Sequence, residues 1–332
     1  MKDEELKELK KWYKVYVLYK DTPYIGFLEE FYNKLYEQSY NVWMKLSKLK
    51  SNENYEKYFT LEDTIELSKK FLATIDDRYP NYLNEGLNNG AIDIYDKSDL
   101  YDFNRNKING KDKGPYYVRE DIEHDDVINH FKTISLPLEH NLEDVYALIH
   151  ELFHSINASV YYDSYDFRLL TESVSITYEF ILYDYLKENG ICSEDRIRPI
   201  EFRIVDLCKK AGTLAKGLTI FKNIKENIDI LKGTFTQVNK EEKESLKDDY
   251  HTLRKTIEYY LGTLIAIINY KKYKEGKLDI NTIEDYNYSL KKNDELESLD
   301  ILFDRFPSIQ EVNESIDFIL NEINNSKIKI KK

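Results

Sequence analysis

His150-Glu151-Leu152-Phe153-His154 spells H-E-x-x-H. On a helix, residues four apart share one face, so both imidazoles can reach a single cation. Glu151 follows the first histidine, and its carboxylate stands beside the same ion, ready to take a proton from water. Glu172 offers a third ligand 18 residues after His154. Two histidines and one carboxylate leave a divalent ion one position for water, and N/O ligation favours one zinc ion over cobalt or manganese. With 6 His in 332 residues, chance alone gives this pattern about once in a hundred such chains. The competing reading is two histidines on an ordinary helix, one against the core and one in solvent.

The elements that must position these residues are legible. Asn141 can cap a helix with Asp144 in its first turn. Val145, Leu148, Leu152 and Ile156 then recur at helical spacing and predict its buried stripe. A second apolar-periodic segment, 170–187, opens with Glu172. A reversing loop through 161–169 would return that carboxylate to the histidines. Glu179 lies two turns after Glu172 on the same face, and could accept a hydrogen bond from a ligand histidine's free N–H. Its competing role is an ordinary solvent-facing glutamate.

Elsewhere the chain reads as mainly helical. Gly (11) and Pro (6) are scarce, while 42% of residues are apolar. Helices are predicted over 3–19, from Thr22-Pro23 to about 48, and from Thr60 to about 77, where Thr60-Leu61-Glu62-Asp63 resembles a capping box. Residues 80–118 are rich in Asn, Gly and Asp. Short strands are expected at Ala91–Tyr95, Tyr116–Val118 and Ile134–Leu138, with Pro137 arguing for an edge or a strand end. A small β-sheet is thus expected just before the metal-site helix. Helices follow over 195–231, 240–274 and 281–293, and Ser308 opens a last one to about 325. The expected division is an N-terminal helical region at 1–79, a catalytic core at 80–293, and a C-terminal helix with a basic tail at 294–332, together one continuous domain.

A net charge of −13 repels phosphate backbones and argues against nucleic acid. Cys192 and Cys208 could pair, but two thiols in a chain this long fit a reducing compartment. The first residues lack an apolar core and a cleavage site, and the longest apolar run, 261–268, is too short to span a membrane. A cytoplasmic protein with no membrane partner is the expectation.

The order GKDKGPYY (110–117), ISLPL (134–138), LEDVYALIHELFH (142–154) and LTESVSITYEF (170–180) resembles the thimet oligopeptidase family, most closely its oligoendopeptidase F branch. That family shows Gly-Lys-x-x-Gly-Ala-Tyr, a short strand, a D-V-x-T-L-x-H-E-x-G-H helix and then E-x-x-S-x-x-x-E. Glu172, Ser175 and Glu179 reproduce the last spacing. The resemblance implies a multi-helical, zincin-type metallopeptidase fold. It implies zinc ligands at His150, His154 and Glu172, a general base at Glu151, and Glu179 in the family's second glutamate position. The stretch from His251 to Gly262 resembles the family's substrate-contacting region, so His251 and Tyr259, with Tyr260 as the substitute, are candidate donors to the substrate carbonyl. Each could equally be a packing residue.

Three departures stand out. Phe153 replaces the family's glycine before the second histidine, which requires the neighbouring strand to lie further away or to be shaped differently. Asn157 stands where a third, non-ligand histidine is common. The chain is also shorter than typical members, mostly at its N-terminal side, which suggests a shallower cleft.

The expected function is zinc-dependent hydrolysis of short peptides. The backbone near Tyr116 and Tyr117 would pair with the extended substrate. Two alternatives stay open: a metallopeptidase with one narrow protein target, or an inactive helical binding module of the same fold. His124 with Asp125 and Asp126 could bind a metal, and Lys111 and Lys113 could steer a peptide carboxylate. A solvated charged surface is the plainer reading of both sets. His140 reads as a turn residue. The sequence leaves the oligomeric state open.

Overall fold

The computed structural model describes residues 3–50, 55, 57–96, 116–124, 127–158, 171–192, 195–235, 238–283 and 307–330. Four helices come first: α1 (Asp3–Tyr19), α2 (Pro23–Leu46), α3 (Leu61–Ile75) and α4 (Tyr79–Asn88). The α3 capping box is formed, with Asp63 N–H donating to Thr60 Oγ1 at 3.1 Å and Thr60 N–H donating to Asp63 Oδ2 at 3.0 Å. Thr22 stands before α2, but its hydroxyl donates backwards to the Tyr19 carbonyl at 2.6 Å instead of capping the helix. Helix α4 was not expected. Asp76 accepts the Arg78 backbone N–H at 2.8 Å and opens the turn, Pro80 fits the first turn, and Tyr79 and Leu83 are buried one turn apart.

The sheet follows, with strands β1 (Ile92–Asp96), β2 (Tyr116–His124) and β3 (Val127–Leu138) in the order β1-β3-β2. β1 pairs parallel to β3 and β2 antiparallel to it, with Tyr116 opposite Ser135 and Ile92 opposite Ile134. β2 and β3 run further than the triplet and pentapeptide expected. Pro137 lies at the end of β3, although β3 is the central strand. The sheet packs against α5 (Glu143–Ala158).

The remaining helices are α6 (Thr171–Glu188), α7 (Arg198–Glu226), α8 (Ile228–Thr234), α9 (Lys240–Lys274) and α10 (Ile309–Ile330). Asn227, with φ −116° and ψ 18°, splits the run expected over 195–231 into α7 and α8. Gly276 turns the chain after α9 at φ +67°. Ser308 Oγ accepts the Glu311 N–H at 3.2 Å to open α10. Only the first residues of the helix expected over 281–293 are described. The loop 161–169, Lys111, Lys113, Asp125, Asp126 and the His124 side chain lie outside the described residues.

α9 is the axis of the core, with Thr256–Ile257 and Tyr260–Tyr270 buried between α6, α7 and α10. Along α6 its contacts keep step: Gly262 meets Glu172, Tyr270 stacks on Phe180, and Lys274 pairs with Asp184. The two helices therefore run side by side in one direction. A Cβ on Gly262 would stand 2.5 Å from Glu172 Cβ, so glycine is what lets them touch at the site. Val145, Leu148 and Leu152 of α5 are buried as their spacing predicts, each contributing roughly 1.5–3 kcal/mol. The main apolar cluster includes residues from Val15 to Ile323. Cys192 and Cys208 are both free thiols. Among the described residues, no helix is long and apolar enough to cross a membrane.

Candidate metal centre

Helix α5 is anchored at its start. Asn141 Oδ1 accepts the Glu143 N–H at 2.7 Å, and Asp144 accepts the N–H of Glu139 and of Asn141 at 2.9 and 3.3 Å. His140, at φ +59°, lies against the Phe59 carbonyl (3.1 Å) and Asp96 (2.9 Å) through its two ring nitrogens. Its hydrogen bond to Asp96 raises its pKa. The turn residue thus ties the end of β1 to the segment before α3.

One turn apart on α5, His150 and His154 bring their Nε2 atoms to 3.0 Å. Glu172, in the first turn of α6, places Oε2 at 3.3 Å from His150 Nε2 and Oε1 at 3.4 Å from His154 Nε2. Charge-assisted hydrogen bonds are shorter, about 2.7–2.9 Å. Each histidine meets a different oxygen of the Glu172 carboxylate, and one donor atom from each of the three residues lies within 4.8 Å of the other two. Glu172 Oε2 is buried and forms no well-aligned hydrogen bond. The three side chains form a His-His-Glu group able to hold a metal ion. Burial opposes the Glu172 charge, but His154 and His150 outweigh it and hold the carboxyl well below its usual pKa.

Behind the donors lies a second layer. Glu179 Oε1 is 2.6 Å from His150 Nδ1, and Glu179 is 1% exposed. Arg203 of α7 grips the same carboxylate with both arms, Nε to Oε2 at 2.7 Å and Nη2 to Oε1 at 2.6 Å. Burial raises the Glu179 pKa, yet Arg203 and His150 lower it further and keep it ionised. Burial also works against a His150 imidazolium, but Glu172 and Glu179 on either side lift its pKa to about 10 when only protein groups surround it.

Glu151 is buried on the wall of a cleft of about 300 Å³, together with His150, Arg203, Tyr146, Phe202 and Tyr259. Glu172 beside Tyr259, and then burial, push the phenol upward, so Tyr259 stays a hydrogen-bond donor. Tyr260 is fully buried, does not line this cleft, and its hydroxyl finds no partner among the described residues. Of the two tyrosines, Tyr259 is the one at the cleft. His251 packs on the Tyr250 ring at 5.8 Å and is not part of the cleft wall. It stands eight residues before Tyr259, about 12 Å along the helix. β2, which carries Tyr116 and Tyr117, is an outer strand of the sheet among the described residues. Phe153 meets helices rather than a strand: it stacks on Tyr178 at 3.5 Å and meets Tyr79 edge-on at 5.7 Å.

No family model and no curated protein matches the sequence. Solved structures do match the fold. A crystal structure of a candidate oligoendopeptidase F from Bacillus anthracis str. Ames aligns with a TM-score of 0.52 at 13% identity, over 94% of this chain and 59% of that one. A second candidate oligoendopeptidase F, solved at 3.1 Å, aligns with a TM-score of 0.48 at 11% identity, over 91% and 57%. The fold is of the multi-helical oligoendopeptidase F type. This chain spans less than two thirds of the length of either structure.

Arg203 escaped the sequence reading, although a signal existed. Ile200, Ile204 and Leu207 mark the buried face of α7, and Arg203 sits on that face three residues after Ile200. A lone arginine on an apolar stripe implies a buried anionic partner. In the sequence Gly262 is only the end of the stretch that begins at His251, whereas its contact with Glu172 gives it a physical role.

Proposed function

We propose that the protein is a zinc-dependent endopeptidase that hydrolyses short peptides. The observation that carries this reading is the convergence of donor atoms from His150, His154 and Glu172, with Glu151 on the adjoining cleft wall. Zinc held by those three residues would supply the Lewis acidity that makes water a competent nucleophile near neutral pH.

The chain's own groups do the rest. Glu179 accepts the Nδ1–H of neutral His150, which fixes the tautomer and leaves the Nε2 lone pair free for the ion. Glu151 removes a proton from the attacking water as the new C–O bond forms. Tyr259 donates a hydrogen bond to the carbonyl oxygen as it gains charge. Glu151 then delivers its proton to the amide nitrogen, the C–N bond breaks, and a carboxylate and an amine leave. The outer strand β2 offers backbone groups to an extended peptide, which favours affinity with little sequence preference.

Glu151→Gln tests this reading, because the amide cannot act as a base. With a mixture of short peptides, the wild type is expected to cleave many of them, and the variant to lose about 10²–10⁴-fold in rate while keeping its zinc by elemental analysis. Full activity in the variant would remove Glu151 from its role. A folded wild type that takes up no zinc and cleaves nothing would leave a helical binding module.

A further inference from the structure

We infer that Arg203 is a positioning residue of the metal centre, setting the orientation of His150 through Glu179. This rests on the proposed metal site and extends it to a third helix. His150 comes from α5 and Glu179 from α6, four and seven residues from positions already singled out by the sequence motifs. Arg203 comes from α7, where nothing in those motifs points.

The geometry is a relay with no slack. A carboxylate that accepts one bond from an imidazole can swing about its Cγ–Cδ axis. Glu179 cannot, because Arg203 fixes both of its oxygens, at 2.7 and 2.6 Å, in a planar fork. Oε1 is shared between Arg203 Nη2 and His150 Nδ1, each at 2.6 Å. The plane of the guanidinium therefore sets the plane of the carboxylate, and that sets the rotation of the imidazole. The ring's far nitrogen then meets the other two donor groups at 3.0 and 3.3 Å.

Charge leads to the same assignment. The cleft wall carries Glu139, Glu143, Asp144, Glu151 and Glu179, and Arg203 is its one Lys or Arg among the described residues. Glu179 is 1% exposed, and Glu172 lies two turns before it on the same helix face. Arg203 holds both Glu179 oxygens, and Oε1 faces the His150 Nδ1 at 2.6 Å.

The test is zinc affinity, measured by competition with a chromogenic chelator on the intact chain, so that no activity is needed. Variants are Arg203→Met, Arg203→Lys, Glu179→Gln and the Arg203→Met/Glu179→Gln double. Arg203→Met is expected to lose about 10–100-fold in zinc affinity. Arg203→Lys restores charge without the fork, so its loss should fall between wild type and Arg203→Met. The double variant should bind zinc no more weakly than Glu179→Gln alone, because Arg203 acts through Glu179.

Circular dichroism checks each variant for folding. If Arg203→Met fails to fold, the decision passes to Arg203→Lys, where a weakened affinity supports the role. A folded Arg203→Met or Arg203→Lys that binds zinc within twofold of wild type would overturn it, as would losses that simply add in the double variant. Wild-type protein that binds no zinc at all would overturn the metal site itself, a result distinct from either.

Discussion

Helix α6 buries a carboxylate in each half, and the two halves treat it in opposite ways. Glu179 is 1% exposed and Asp184 is 5% exposed, so burial alone would raise both pKa values. Glu179 instead falls below its usual range, because Arg203 and His150 outweigh burial. Asp184 rises, because burial outweighs Lys274, whose Nζ stands 2.8 Å from Oδ2, even with help from Tyr270 and Lys187. The number and geometry of charge-assisted bonds decide the outcome, not depth. A buried acid is thus weak evidence of a site. What distinguishes the N-terminal half of α6 is that its acid leads on to converging donors and an open cleft, whereas Asp184 leads to a solvent-reaching lysine.

The sharpest way to break this contrast is at Lys274. Lys274→Met leaves buried Asp184 without its nearest cation and should cost about 3 kcal/mol at pH 7. The sign of the pH effect follows from the shift. A carboxyl whose folded pKa lies above its unfolded value of about 3.9 destabilises the fold when ionised. The penalty is therefore present at neutral pH and fades as pH falls through the raised folded value. Urea midpoints at pH 7 and pH 4.5 should show the variant closer to wild type in acid. Zinc affinity should not change, since Lys274 stands at the far end of α6 from Glu172. A loss of zinc in this variant would mean that the two halves are not independent.

Gly262 probes the other half of the same contact. Gly262→Ala puts a methyl group 2.5 Å from Glu172 Cβ and 3.3 Å from the Ser173 nitrogen, both on α6. Neither atom is the end of a flexible side chain, so the helices must part. Overpacking of this kind costs about 1–3 kcal/mol. The shift falls on the residue proposed as the third ligand. A denaturant midpoint should therefore drop together with zinc affinity, whereas Lys274→Met lowers only the first. Unchanged zinc affinity in a destabilised Gly262→Ala would show that the donor set tolerates movement of α6.

Much of this was readable in the chain, and the division has a physical basis. Residues tied by local periodicity were legible: His150 and His154 one turn apart, Glu172 and Glu179 two turns apart, and the caps at Thr60, Asn141 and Ser308. Features that depend on what crosses from another element were not. Tyr259 and Tyr260 are adjacent and chemically equal, but stand about 100° apart around α9, and only the packing of α6 and α7 decides which one meets the cleft. Arg203 is far from every motif and joins the site only because α7 lies alongside α6. Helix α4 hid behind an Asn-rich composition, with just Tyr79 and Leu83 carrying its buried face. The sheet was underestimated because ladder pairing, not the propensity of Tyr116–Val118, sets the length of β2 and β3.

The smallest expected effect lies one turn beyond Asp184. Lys187 donates to Glu322 of α10 at 2.7 Å. Burial lowers the lysine's pKa, but Glu322 outweighs it and the net shift is upward. A raised lysine stabilises the fold below its unfolded pKa of about 10.4, and that contribution disappears as pH rises through the folded value. Both partners still see water, so screening leaves the pair worth under about 1 kcal/mol. Lys187→Met should therefore be slightly less stable than wild type at pH 8, and the two should converge in strong alkali when denaturant midpoints are compared. Set beside Lys274, a lysine facing a partly exposed acid would then differ severalfold in effect from one facing a buried acid. If Lys187→Met cost as much as Lys274→Met, partner geometry and burial would not be what separates a strong pair from a weak one along α6.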